Sequence, residues 1–199
     1  MKNAATRGRP SRRKEMVAAA EELVRTEGLA HATTKAIAAR AGCSEAALYV
    51  HFKSRSDLLL AVLEESLPDM LVPLRALEQA VGHATPRQNL QRALGGIFAF
   101  HQRVTPVICS LFAEPELLTE YRDSLLAQNK GPRGAIGRLR RYIAAEQKQG
   151  RIGRSVDAEL AATTLMANSF FRAFTGHFFG TDEPFEAFCR CLVANVIAK

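Results

Sequence analysis

The sequence predicts an all-α protein, and three observations carry that prediction. Apolar residues recur at helical spacing along most of the chain, while strand-like alternation is nearly absent. Ser, Thr, Gly and Pro fall where helices need to start and stop. At 199 residues, with 47% hydrophobic and 24% charged residues, the chain has ordinary globular usage and can bury a core. Global disorder and collagen-like repeats are excluded. No apolar run approaches the roughly 18 residues of a membrane span. The basic start MKNAATRGRPSRRKE leads into no apolar stretch, so no secretory signal is read and a cytoplasmic protein without a membrane partner is expected.

Over 11–27, Met16, Ala20, Leu23 and Val24 recur at helical spacing and Gly28 is the stop. A short helix follows, with Thr33 as N-cap, Ile37 and Ala41 on one face and Gly42 as its end. Another short helix begins at Ser44 and carries Leu48 and Phe52 at i, i+4. Ser54 and Asp57 have the spacing of a capping box before LLLAVL. Pro68 and Pro73 then require the 56–81 stretch to kink or to split in two. Thr85-Pro86 and Thr105-Pro106 each read as an N-cap followed by proline at the first helical position. Two helices divided near Gly131-Pro132 are expected in 115–149, and two more at 156–176 and 183–198. The resulting division is a three-helix N-terminal domain, 1–54, and a larger helical domain, 55–199.

The net charge of +7 is concentrated in two places. Residues 1–14 hold +6 without an acid and residues 130–154 hold +7, leaving the rest of the chain at −6. A basic terminal arm is a common device for reaching nucleic acid. The 130–154 stretch reads as a solvated helix face and loop. Cys43, Cys109, Cys189 and Cys191 form no C-x-x-C, and buried reduced thiols are expected.

The two short helices meet the physical demands of a helix-turn-helix. Ala38, Ala39 and Ala41 are small enough for a steep, close crossing. Gly42 permits a positive φ in the turn, and Ile37, Leu48 and Phe52 are placed to pack on Leu23 and Val24. The outer face is left with Glu45, Ala46, Tyr49 and His51, which suits entry into a major groove.

The run T-T-K-A-I-A-A-R-A-G-C-S-E-A-A-L-Y-V-H-F-K-S-R-S-D-L-L at 33–59, with A-A-x-x-L-x-x-x-x-G at 19–28, strongly resembles the N-terminal module of the TetR family of bacterial transcriptional regulators. This signature covers about 50 of the 199 residues. Beyond it the resemblance rests on length, helical content and G-R-I-x-x-x-x-D-A-E-L-A-A at 150–162. Cys43, where a branched aliphatic is usual, and Arg55, where lysine is common, are its departures. The resemblance implies that Thr34, Tyr49, His51, Lys53 and Arg55 hold phosphates, which fix register without reading sequence. It places Lys35, Glu45, Ala46 and Ala47 at base edges, with Ser44 at the start of the same helix. Lysine suits guanine and an alanine methyl suits thymine, while Glu45 either accepts from cytosine or acts as a repulsive filter. Arg9, Arg12 and Arg13 belong to the arm, expected along the minor groove or the backbone.

Ten of the 11 Phe lie beyond residue 60. Phe170, Phe171, Phe174 and Phe178, with His177, span too wide an arc for a single packed stripe. Since regulators of this kind bind small molecules there, Phe98, His101, Phe112, Phe171, Phe174 and His177 are the expected pocket lining. Arg103, Glu114, Asn168 and Arg172 are the candidate polar anchors. No His/Cys pair has ligand spacing, so no metal and no cofactor are expected. Leu160, Thr164 and Ala167, with Phe188, Leu192 and Val196, are the expected dimer interface. The expectation is therefore a homodimeric repressor that leaves a palindromic operator in double-stranded DNA when a small, largely apolar effector binds. An effector-independent or architectural DNA-binding protein is the alternative. A DNA-tethered enzyme ranks lower, because no H-E-x-x-H, G-x-S-x-G or Walker loop is present.

Overall fold

The computed structural model describes residues 11–127, 131–180 and 183–198. Among them are nine α-helices and no strand. The helices are α1 (Arg12–Glu27), α2 (Thr34–Arg40), α3 (Glu45–His51), α4 (Arg55–Gln79), α5 (Pro86–Leu111), α6 (Pro115–Ala127), α7 (Pro132–Lys148), α8 (Ala158–Phe179) and α9 (Phe185–Val196). The chain forms two compact units, Met1–Glu65 and Ser66–Lys199. No helix among the described residues is long and apolar enough to cross a membrane.

In the N-terminal unit, Ser11, Thr33 and Ser44 cap α1, α2 and α3, each side chain accepting a backbone N–H of the first turn. Gly42 takes φ +65° in the turn between α2 and α3, a conformation that favours glycine. Met16, Ala20, Leu23, Ile37, Leu48 and Phe52 are buried and close the core of α1, α2 and α3. Before α4, the Ser54 hydroxyl accepts from Asp57 N at 3.0 Å, but the Asp57 carboxylate accepts from Lys53 N at 2.9 Å instead of the Ser54 N–H. The capping box is thus displaced by one residue on its return arm.

In the C-terminal unit, α5 packs on α8 and α9, and α7 packs on α8. Helix α4 does not split: it continues through Pro68 and Pro73. Thr85-Pro86 opens α5 with a complete capping box to Gln88. Thr105-Pro106 opens nothing, because both residues lie inside α5. Proline at 106 supplies no N–H, which leaves the Gln102 carbonyl without its helical donor. His177 of α8 answers it, with Nε2 2.9 Å from Gln102 O, and the Thr105 hydroxyl donates to His101 O at 2.6 Å. The local signal for a helix start is overridden by tertiary hydrogen bonding.

Two adjacent glycines of α5 are expected to respond oppositely to alanine. A Cβ at Gly96 would stand 2.5 Å from Cγ of Pro73, a rigid ring of α4, whereas a Cβ at Gly95 would meet nothing within 4 Å. Gly96→Ala should cost about 1–3 kcal/mol through overpacking. Gly95→Ala should gain about 0.5–1 kcal/mol from helix propensity. Urea denaturation of both variants checks this, and a Gly96→Ala protein at least as stable as the wild type would contradict it.

Candidate nucleic-acid interface and apolar cavity

The outward face of α3 is the first candidate site. Glu45, Ala46 and Tyr49 are exposed along it, with Tyr49 at 52%. His51, Lys53, Lys35 and Ser44 are exposed too, while Thr34 and Ala47 are half-buried. Val50, unremarked in the sequence, is 80% exposed beside Tyr49. Its signal was the i, i+4 spacing from Ala46, which puts it on the same outward side. The Thr34 hydroxyl donates to the Glu45 carboxylate, joining the starts of α2 and α3.

Three arginines sit differently from the expected arrangement. Arg12 and Arg13 are not on an extended arm: Ser11 starts α1, and both lie in its first turn. Arg12 stands 3.8 Å from Glu15, while Arg13 pairs with Glu65 and lies over the Phe52 ring at 5.0 Å. Arg55 reaches into the unit, donating from Nε to Ala32 O at 2.9 Å and from Nη2 to Leu29 O. Its guanidinium ties the 3-10 turn Leu29–His31 to the start of α4. Arg9 lies outside the described residues.

The second site is a cavity of about 420 Å³ inside the C-terminal unit. Leu67 and Met70 of α4, Phe100, His101 and Ile108 of α5, and Tyr121 and Leu125 of α6 line one part of it. Gly131, Pro132 and Ile136 at the start of α7, with Thr163, Met166, Phe170 and also Ala167 of α8, a residue expected at the dimer interface, complete the wall. No side chain in this lining carries a formal charge at neutral pH. Burial pushes the His101 imidazole down to about 4, so it is neutral there. Its Nδ1 shares a 3.1 Å hydrogen bond with the hydroxyl of buried Ser169, and Phe170 presents its ring edge-on at 5.6 Å.

Of the six residues expected to line a pocket, the cavity takes His101 alone. Phe98 stacks on Phe185 at 4.0 Å, filling the contact between α5 and α9. Phe112 follows the end of α5 and is 72% exposed, and Phe171 is 64% exposed on the far side of α8. Phe174 is held between Phe170 and Phe178, and His177 is spent on the carbonyl freed by Pro106. Three of the four candidate anchors are also engaged elsewhere. Arg103 pairs with Asp69 at 2.8 Å, Asn168 donates to Thr164 O, and Arg172 lies over Phe188 while donating to Glu183 O.

Because His101 is buried in its neutral form, acid should destabilise the fold through it. The unfolded imidazole titrates near 6.5 and the folded one near 4, so this contribution is complete above pH 6.5 and is lost as pH falls from there to about 4. The full loss is up to about 3 kcal/mol. Subtracting the stability profile of His101→Gln from that of the wild type isolates the effect. A difference that stays flat between pH 7 and pH 4 would refute it.

Three comparisons bear on these sites. Residues 16–62 match the family model described as bacterial regulatory proteins, tetR family. The HTH-type transcriptional activator FasR of Mycolicibacterium smegmatis is 37% identical over 93 residues, covering 46% of this chain and 41% of FasR. The nucleoid occlusion factor SlmA of Aliivibrio fischeri is 45% identical over 67 residues, covering 32% of this chain and 34% of SlmA. The matched stretch thus spans well under half of either curated relative. Over nearly the whole chain the fold is similar to that of the regulator FadR of Bacillus subtilis, solved in complex with stearoyl-CoA. The TM-score is 0.68 at 17% identity, covering 93% of this chain and 97% of that one.

Proposed function

We propose, from the match of residues 16–62 to the model of bacterial regulatory proteins of the tetR family, that the chain is a member of that family and a homodimeric, non-enzymatic regulator of transcription in the cytoplasm. In this reading it represses from a palindromic operator and is released when a small, largely apolar effector fills the cavity. The observation that carries the reading is the capped helix-turn-helix with the outer face of α3 left exposed. Residues 1–54 read DNA, and residues 55–199 bind effector and dimerise.

Tyr49, His51, Lys53 and Thr34 are the proposed phosphate contacts, with Arg9 and Arg12 on the flanking backbone. Lys35, Glu45, Ala46 and Ala47 face base edges beside Ser44, and Val50 adds an apolar contact suited to a thymine methyl. Arg13 and Arg55 serve mainly to hold the unit together. On α8, Leu160, Thr164, Ala167 and Phe171 recur on one side, with Leu160 65% and Phe171 64% exposed. With Phe188, Leu192 and Val196 of α9 they form the proposed two-fold interface. Two reading heads about 34–36 Å apart then contact successive major grooves.

An effector shifts this system only by binding one dimer geometry better than the other. The cavity's uncharged lining supports an apolar ligand, as does the likeness in fold to a regulator solved with stearoyl-CoA. The likeness of the N-terminal stretch to a protein named for the nucleoid favours a second reading, an architectural or effector-independent DNA-binding protein, which leaves the cavity without a role.

Selecting sites from a random duplex pool at near-physiological salt tests the proposal. A palindrome with half-sites about 10 base pairs apart is the expected result. Lys53→Ala should weaken binding evenly across sequences and lower the salt slope by about one, whereas Lys35→Ala should relax one base position. Affinity that collapses with salt and enriches no sequence would overturn it.

A further inference from the structure

The cavity has a charged neighbour. A second recess, about 300 Å³, shares Leu67, Met70 and Gly131 with the cavity as a common wall. Its remaining sides include Arg138 and Arg141, one turn apart on α7. Both guanidiniums are held by a single carboxylate: Arg138 pairs with Glu78, and Arg141 Nη2 lies 2.8 Å from Glu78 Oε1. Two cations share one anion, so the cluster keeps a net positive charge beside an uncharged, apolar chamber. Gly131 and Gly134, at the start of α7, present no side chains to screen the positive end of that helix from the same recess.

We propose that the effector is an anionic amphiphile, with its apolar tail in the cavity and its carboxylate or phosphate head on Arg138 and Arg141. This rests on the reading of the cavity as an effector site. A head group inside the cavity would find no cation, since His101 is neutral there and the other lining groups carry no charge. At the shared wall it meets two guanidiniums suited to oxygen anions. Glu78 competes for them, but partly exposed ion pairs are weak, and an incoming anion displaces it at small cost. The basic 130–154 stretch thereby acquires a ligand-binding role.

The test measures binding of palmitate, palmitoyl-CoA and hexadecanol to the full chain by calorimetry, each below its micelle concentration. At least one of the two anions should bind about tenfold or more tightly than the alcohol, a gap of about 1.4 kcal/mol. Which anion it is separates a carboxylate head from a phosphate one. Arg138→Gln/Arg141→Gln should bring the anions down to the alcohol's affinity and leave hexadecanol unchanged. Glu78→Gln should tighten the anion about threefold with hexadecanol again unchanged. An ion cluster serving only the fold would weaken all three ligands together in both variants, and that result would overturn the proposal. Hexadecanol binding as tightly as both anions would overturn it while leaving the cavity reading intact. If none of the three binds, both fall.

Discussion

Leu48→Ala is expected to unfold the N-terminal unit while the helices of the C-terminal unit persist. Leu48 is fully buried under α3, and truncating such a leucine costs about 2–5 kcal/mol in lost transfer energy and cavity formation. A unit of this size has about 3–10 kcal/mol to lose. Its helices cannot compensate locally, because α2 and α3 have seven residues each and isolated helices shorter than about 12 residues are marginal in water. Hydrogen exchange separates the outcomes. Amides of α1 to α3 should lose protection by orders of magnitude while those of α5 and α8 keep theirs. Unchanged protection in α3 would mean the site collapses around the smaller side chain.

Arg151→Met is the second large effect, and it comes from stranding a charge. Glu146 is fully buried, with Oε1 accepting from Gly82 N at 3.2 Å and Oε2 standing 3.3 Å from Arg151 Nε. Arg151 also donates to His83 O and Ala84 O, in a turn where Ala84 takes φ +46°, rare for a residue with a side chain. Asn89 supports the same turn by donating to Ala80 O, His83 O and the Tyr142 hydroxyl. Removing Arg151 leaves a carboxylate in the interior without its counter-ion and takes the donor from Ala84 O, while His83 O keeps Asn89. The expected loss is about 3–5 kcal/mol. Glu146→Leu combined with Arg151→Met should recover much of it, since neither charge is then buried. Urea denaturation of the single and double variants reads this directly. A double variant less stable than Arg151→Met would show that the pair contributes more than mutual neutralisation.

The helix-turn-helix was legible because every cue for it is local. Thr33, Gly42 and Ser44 sit at fixed offsets, and Ile37, Leu48 and Phe52 carry the periodicity, so sequence distance and spatial distance agree. The cavity was not legible, and Pro106 is the reason. Reading it as a helix start broke α5 in two and put Ile108 out of phase with Phe100 and His101, which share one wall. The carbonyl that Pro106 frees is met by His177, 75 residues after Gln102 in the chain, and no local pattern announces that bond. The aromatics of α8 misled for a related cause. Their density marks a helix with apolar residues on several sides, and the partner for each side is set by packing.

The seven-residue helix α3, proposed above to read DNA, divides its duties by side. Its existence depends on one buried leucine and a serine at its entrance, whereas Ala46, Tyr49 and Val50 contribute little to folding because they face outward. Substitutions at such positions usually change stability by less than about 0.5 kcal/mol. Address and scaffold are thus written in separate letters of one short word. A lineage, or an engineer, can rewrite the address in steps that each leave a folded protein, and drift toward a new operator need not pass through unstable ancestors.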